Sequence, residues 1–245
     1  MRGPIYNVTT CGTIKESERC ITNGRPDLGY LYWRWKPNEC NLPRWARDID
    51  QMDMIVISIG HWFLLPSIYY ENDLVLGSLN VHEYFNHTQI DFYGPLRKAL
   101  RTTLNSIIER KVAKGKGIDV IVKTFSPAHF EGDWNKDGTC SKTKPYRKEE
   151  KVLGGMEAEI RKIEIEEMER AMAKAKQFEG IRLEVLDVTK LALLRPDGHP
   201  GAYMNPFPFA NGIPKYVQND CVHWCLPGPI DTWNEIFLEM IKKTE

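Results

Sequence analysis

The chain has 245 residues, 42% hydrophobic and 27% charged, which suffices for one domain with a full core and is ordinary for a globular protein. Lys+Arg and Asp+Glu number 33 each, so no global field points to nucleic acid or an anionic membrane, and nucleic acid is not expected as a partner. No stretch is long and apolar enough to span a bilayer.

Residues 1–45 read as an irregular N-terminal segment rich in Cys, Trp, Pro and Gly, and residues 46–245 as the main domain. Met54–Ile59 is a short apolar run ending at Gly60, the pattern of a strand buried on both faces. From Pro95, the residues Leu96, Leu100, Leu104, Ile108 and Val112 recur every fourth position, which predicts an amphipathic helix stopped by Lys114-Gly115-Lys116-Gly117. Ile118 to Phe125 reads as a second buried strand, and 126–146 as a loop. A charged helix follows from about Glu149 to Phe178, with an apolar stripe of Ile160, Ile163, Met168, Met172, Ala175 and Phe178. Gly180 ends it, and Ile181 to Leu186 is a third strand. A long loop, 187–229, leads to a last helix with Asp231 as its expected N-cap, burying Trp233, Ile236, Phe237, Met240 and Ile241. This alternation predicts an α/β fold with a parallel sheet and flanking helices. Ligands bind such sheets beyond the carboxyl ends of the strands, where His61, His129 and the Asp220/His223 stretch are expected to share a cleft.

Six cysteines form two clusters, Cys11, Cys20 and Cys40, then Cys140, Cys221 and Cys225. No CxxC pair occurs, which speaks against a zinc ribbon, and no metal is expected. Asn7-Val8-Thr9 and Asn86-His87-Thr88 are glycosylation acceptors, so Asn7 and Asn86 together with the even cysteine count favour an oxidising, secretory compartment. The pairing of the cysteines stays open, and no targeting signal is visible after Met1-Arg2-Gly3-Pro4.

The chemistry concentrates in Asp220-Cys221-Val222-His223-Trp224-Cys225-Leu226-Pro227-Gly228. Asp220 can orient an imidazole while His223 moves protons, the way a hydroxyl nucleophile is switched on. The other reading is a disulfide-held turn in which the histidine is incidental. Gly60 and His61 directly follow the first strand and can supply oxyanion donors, or a glycine turn with an aromatic plug. His199, in Arg195-Pro196-Asp197-Gly198-His199-Pro200, is a candidate substrate contact within what is mainly turn chemistry, and His129 admits either role. Trp33 and Trp35 can stack on sugar rings or pack in the core. A metal site from His199, Asp220 and His223 lacks any helix-spaced ligand motif.

Three stretches resemble one family closely: Asn23-Gly24-Arg25-Pro26-Asp27 with Trp33-Arg34-Trp35-Lys36-Pro37, then Leu194 to Pro200, then Asp220 to Asn234. Gly60-His61-Trp62-Phe63 and Pro66 to Asn72 fit as well. The chain is similar to the trichome-birefringence-like plant proteins with their PMR5/Cas1p-type acyl-esterase domain. That resemblance implies an SGNH-hydrolase-like α/β fold and O-acetylation of cell-wall polysaccharide, xylan or xyloglucan, by a membrane-anchored protein of the Golgi. It implies a serine in a Gly-Asp-Ser motif that carries acetyl, activated by an Asp-x-x-His pair that falls on Asp220 and His223. It implies no bound cofactor, with acetyl-CoA or an acetylated carrier as donor.

The chain departs from the pattern at one decisive point. No Gly-Asp-Ser is present, and Gly132-Asp133 is followed by Trp134. Asn41-Leu42-Pro43-Arg44 runs directly into Trp45, where the family carries the serine strand, so an internal deletion and an incomplete sheet are expected. The family's anchor is not seen either. Ser58 and Ser126 are the serines near strand ends; Ser58, inside an apolar run, is expected to be buried, and neither is taken as a nucleophile. The expectation is an O-acetyltransferase-type domain with little or no transfer. Its rivals are a non-catalytic polysaccharide-binding or interaction protein and a metal-dependent hydrolase.

Overall fold

The computed structural model describes residue 23 and residues 48–71, 74–80, 88–132 and 139–242. The N-terminal segment, including Trp33, Trp35 and Asn7, lies outside the described residues apart from Asn23, and so does Asn86. The chain divides into two compact units. The first, the sheet unit, holds Asn41–Phe125 and Gly154–Asp187. The second, the loop unit, holds Met1–Cys40, Ser126–Leu153 and Val188–Glu245.

In the sheet unit, β1 (Met54–Ser58), β4 (Ile118–Lys123) and β5 (Ile181–Leu186) form a parallel sheet in the order β1-β4-β5. Helix α1 (Tyr93–Ala113) connects β4 to the strands before it, and α2 (Gly155–Ala175) links β4 to β5. Between β1 and α1, β2 (Ser67–Glu71) and β3 (Leu74–Leu79) make an antiparallel hairpin that the sequence pattern did not announce. The fold is therefore the expected α/β class, with three parallel strands among the described residues.

The register explains where the core sits. Ile55 pairs with Val120, Ile57 with Val122, and these in turn with Leu183 and Val185, so alternate residues build one apolar face. Leu100, Leu104, Ile107 and Ile108 from α1 and Met168, Ala171 and Ala175 from α2 pack on that face together. Both helices thus cover the same side of the sheet. Each buried Leu or Ile contributes roughly 1.5–3 kcal/mol by transfer from water. The N-terminus of α1 is closed by Asp91, whose Oδ1 accepts the N–H groups of Tyr93 and Gly94 at 3.0 and 3.3 Å. Between the helices, the buried carboxylate of Glu167 accepts hydrogen bonds from Arg97 and Arg101. The Arg101 hydrogen bond, helped by Arg97, holds it below the usual carboxylate range, although burial opposes them.

Several expectations need correction. β1 is not buried on both faces: Val56 is 47% exposed and Ser58 is exposed as well, because the helices pack on the opposite face. β4, paired on both sides, is the buried strand. Val112 is exposed at the end of α1, while Lys111 beside it is buried and donates to the Met52 carbonyl. α2 starts at Gly155 rather than near Glu149, and its buried face includes Glu164 and Glu167 besides the apolar stripe.

At the end of β1, Gly60 has φ +142, and a Cβ there would lie 2.5 Å from Phe125 Cδ2. Only glycine meets both conditions. The turn leads into a short 3-10 helix, His61–Leu64, and the His61 ring stacks on Phe125 at 4.4 Å between centroids.

Among its described residues, the loop unit contains little regular structure: α3 (Thr189–Leu193), two 3-10 turns at Pro196–Gly198 and Ala202–Met204, and the terminal helix α4 (Pro229–Lys242). α4 begins at Pro229, a favoured first helical residue. Asp231 is therefore inside its first turn rather than at the N-cap, and its Oδ2 accepts the Gly228 N–H at 2.7 Å. Trp233 and Phe237 are buried as expected, whereas Ile236 is exposed. No helix among the described residues is long and apolar enough to cross a membrane.

Candidate active site

The Asp220–His223 pair is formed. Asp220 Oδ2 accepts a hydrogen bond from His223 Nδ1 at 2.8 Å. The other carboxylate oxygen accepts the backbone N–H groups of Val222 and His223 at 3.0 and 2.9 Å. The three-residue spacing is what closes this loop: the carboxylate caps the turn that carries the imidazole, so one side chain fixes both backbone and ring. Burial would raise the Asp220 carboxyl, but the hydrogen bonds from the His223 ring and the two N–H groups outweigh it and hold it below the usual range. A charged Asp220 fixes the proton of His223 on Nδ1 and leaves Nε2 as the nitrogen that exchanges a proton. Asp220 is nearly buried while the His223 side chain is 60% exposed, which suits an orienting acid and a base that meets solvent or substrate.

Long-range links hold this turn in place. Asp220 and Gly201 exchange backbone hydrogen bonds at 2.9 and 3.1 Å. Cys221 is bonded to Cys140, 81 residues away, which settles one of the pairings left open, and Cys225 is disulfide-bonded too. The Cys221 carbonyl accepts the His129 N–H, and the Gly198 carbonyl accepts the Cys225 N–H. A Cβ on Gly198 would lie 2.3 Å from Pro229 and 3.0 Å from Trp224, so this motif glycine allows two strands of loop to pack closely. Arg195 and Asp197 pair through two hydrogen bonds of 2.9 and 2.8 Å across the 3-10 turn. The Arg195–Pro200 stretch is thus the turn its composition predicted.

His199 is 3% exposed. Its Nδ1 lies 2.6 Å from the His223 carbonyl and its Nε2 2.7 Å from His129 Nδ1. Its ring faces Trp224 at 4.1 Å. From that position it holds the loop behind His223. His129 joins it, and no spacing rule could have paired residues 70 positions apart. Gly60 and His61 belong to the sheet unit, where Gly60 makes the tight turn, His61 stacks on Phe125 and Trp62 is exposed. No group of three or more His, Cys, Asp or Glu side chains among the described residues could hold a metal ion.

Comparison with known proteins bears on what this site is for. Residues 39–240 match the model of the GDSL/SGNH-like Acyl-Esterase family found in Pmr5 and Cas1p. The chain belongs to this family. Residues 1–41 match the PMR5 N terminal Domain. Among relatives, Xyloglucan O-acetyltransferase 1 of Populus trichocarpa is 46% identical, covering 99% of this chain and 79% of the relative. Xyloglucan O-acetyltransferase 1 of Arabidopsis thaliana is 39% identical over 98% of this chain and 77% of its own length. Protein trichome birefringence-like 20 of the same plant is 31% identical over 100% of this chain and 70% of its own length. The Populus alignment runs over 338 positions, well past the 245 residues of this chain. The relative therefore carries internal residues of the acyl-esterase type protein for which this chain has no counterpart.

Proposed function

We propose that this chain is a cell-wall polysaccharide O-acetyltransferase domain of the xyloglucan or xylan type whose acid–base half is in place and whose nucleophile-bearing segment is absent. The observation that carries the reading is the Asp220–His223 hydrogen bond of 2.8 Å in a disulfide-anchored turn, in a family member without a Gly-Asp-Ser motif. In an intact relative, a serine hydroxyl loses its proton to the histidine that corresponds to His223 while its oxygen takes acetyl from the donor. The imidazolium, stabilised by the aspartate that corresponds to Asp220, protonates the leaving group. In the second step, the base takes a proton from a sugar hydroxyl, which attacks the acetyl-enzyme and restores the serine. The donor is acetyl-CoA or an acetylated carrier.

In this reading the missing residues belong between Arg44 and Trp45, at the junction of a 1–45 segment and a 46–245 domain. The extra aligned length of the relatives supports an internal loss. A secretory, Golgi-lumen setting is supported by the disulfide Cys140–Cys221 and by the two acceptors Asn7 and Asn86. The polysaccharide-binding role is the second reading, favoured by the absent serine motif.

A fluorophosphonate probe that labels activated serines tests the proposal. The chain is expected to remain unlabelled and to release no acetyl to xyloglucan oligosaccharide. Strong labelling that disappears in His223→Ala would overturn it by revealing a working nucleophile in the existing chain. Oligosaccharide binding without transfer would establish the binding role.

A further inference from the structure

The structure assigns a shared third proton to the buried pair His129–His199, making the two rings together a monocation that positions the backbone of His223. The argument is a count of protons. His129 Nε2 lies 2.8 Å from the Leu193 carbonyl, and His199 Nδ1 lies 2.6 Å from the His223 carbonyl. A carbonyl oxygen has no proton to give, so both of these ring nitrogens must carry N–H and donate. A neutral imidazole has only one N–H, and each ring has now used its own. The inner nitrogens, His129 Nδ1 and His199 Nε2, are then two bare lone pairs, yet they lie 2.7 Å apart. Two lone pairs at that separation repel. One more proton between them converts the contact into an N–H···N hydrogen bond and gives the pair three protons and one positive charge.

The surroundings suit a delocalised cation. His129 and His199 are both buried, so the charge is held in a place of low effective dielectric where an unsatisfied polar atom is costly. The Trp224 ring lies 4.1 Å from the His199 ring and presents an edge-on contact to His129 at 6.0 Å. An aromatic face at that distance attracts a cation. Among the described residues, several titratable and charged groups on neighbouring segments have partners of their own. Tyr146, 6.3 Å from His129 between centroids, has the Lys142 ammonium over its ring, and Glu131 accepts from Ser141. Arg195 pairs with Asp197, Asp231 accepts from Gly228, and Asp220 pairs with His223.

The resulting chain runs from the Leu193 carbonyl through His129 and His199 to the His223 carbonyl. It fixes the main chain of the residue whose side chain Asp220 orients. His129 and His199 are positioning residues by this reading, and neither reaches a substrate. The inference stands independently of whether the chain transfers acetyl.

Long-range nitrogen–proton NMR of the full chain labelled with 15N-histidine tests it. Three of the four nitrogens in the pair are expected to be protonated, with one proton correlating to both His129 Nδ1 and His199 Nε2. That proton is lost as a single step on raising the pH. Two neutral rings, or a bare nitrogen facing either carbonyl, would overturn the assignment. The variant His129→Gln provides N–H donors without a titratable proton. It is expected to keep the His223 Nδ1–Asp220 proton resonance of the wild type, whereas His129→Leu shifts that resonance. If His129→Gln moves the resonance as far as His129→Leu does, or His129→Leu leaves it unmoved, the positioning role is wrong.

Discussion

The two compact units are stabilised by different means. In the sheet unit, order comes from periodic apolar residues: every second residue of three strands and every third or fourth of two helices meet in one core. In the loop unit, the described segments from residue 126 and from residue 188 onward hold little secondary structure. Their geometry rests on a disulfide, backbone exchange between Gly201 and Asp220, and a chain of polar and aromatic contacts around His199. The first kind of order tolerates modest change because many contacts share it. The second places one imidazole accurately but depends on a few links.

That contrast can be broken from either side. Leu104→Ala removes a fully buried side chain from the interface of α1 with the sheet and is expected to destabilise the protein by about 2–5 kcal/mol, read from urea unfolding. A loss well under that range would mean the core is loose there. Replacing both Cys140 and Cys221 by Ser frees a loop of 81 residues and is expected to cost about 2–4 kcal/mol. Hydrogen exchange should then accelerate at the Gly201 and Asp220 amides, while the amides between β4 and β5 stay protected. Uniform acceleration across both units would show that the two kinds of order are not separable.

The smallest effect sharpens the comparison within the sheet unit, where a polar group intrudes on the apolar scheme. Glu164 is fully buried on α2, and its Oε2 accepts the Phe125 N–H at 2.8 Å. Burial lifts its carboxyl from 4.5 to about 8, against the pull of that hydrogen bond and of Lys123. The folded protein thus keeps a proton that the unfolded chain releases. This contribution to stability is complete below 4.5 and is lost as the pH rises through about 8. Lys123, lowered to about 8 by burial against the pull of Glu164, acts with the opposite sign above that window. Glu164→Gln keeps the shape without the titration, so its urea midpoint should fall less than that of the wild type across the interval. Parallel midpoints would mean that the buried carboxylate is fully compensated when charged.

The periodic elements were legible because burial leaves a spacing in the sequence. Leu96, Leu100 and Leu104 marked α1, and the runs at Ile118 and Ile181 marked β4 and β5. The hairpin β2–β3 was not legible, since its pairing depends on a partner strand rather than on its own pattern. Val56 and Ser58 were misjudged for a related reason. An apolar run reports a tendency to be buried, while the actual cover of each face is decided by where the helices pack. In the site, the Asp220–His223 contact was readable from a local spacing that a single turn closes. The place of His199 behind His223, its contact with His129, and the bond between Cys140 and Cys221 were not, because each joins residues far apart in the chain.

By itself, then, the sequence determined the α/β class, the Asp220–His223 contact, the family and the missing Gly-Asp-Ser, all of which are carried by residue types at short range. Tertiary structure alone decided which face of β1 lies open, which cysteine anchors the turn, and that two distant histidines meet ring nitrogen to ring nitrogen. These outcomes depend on chain closure over long separations, where hydrogen-bond geometry and packing choose among partners that composition leaves equivalent.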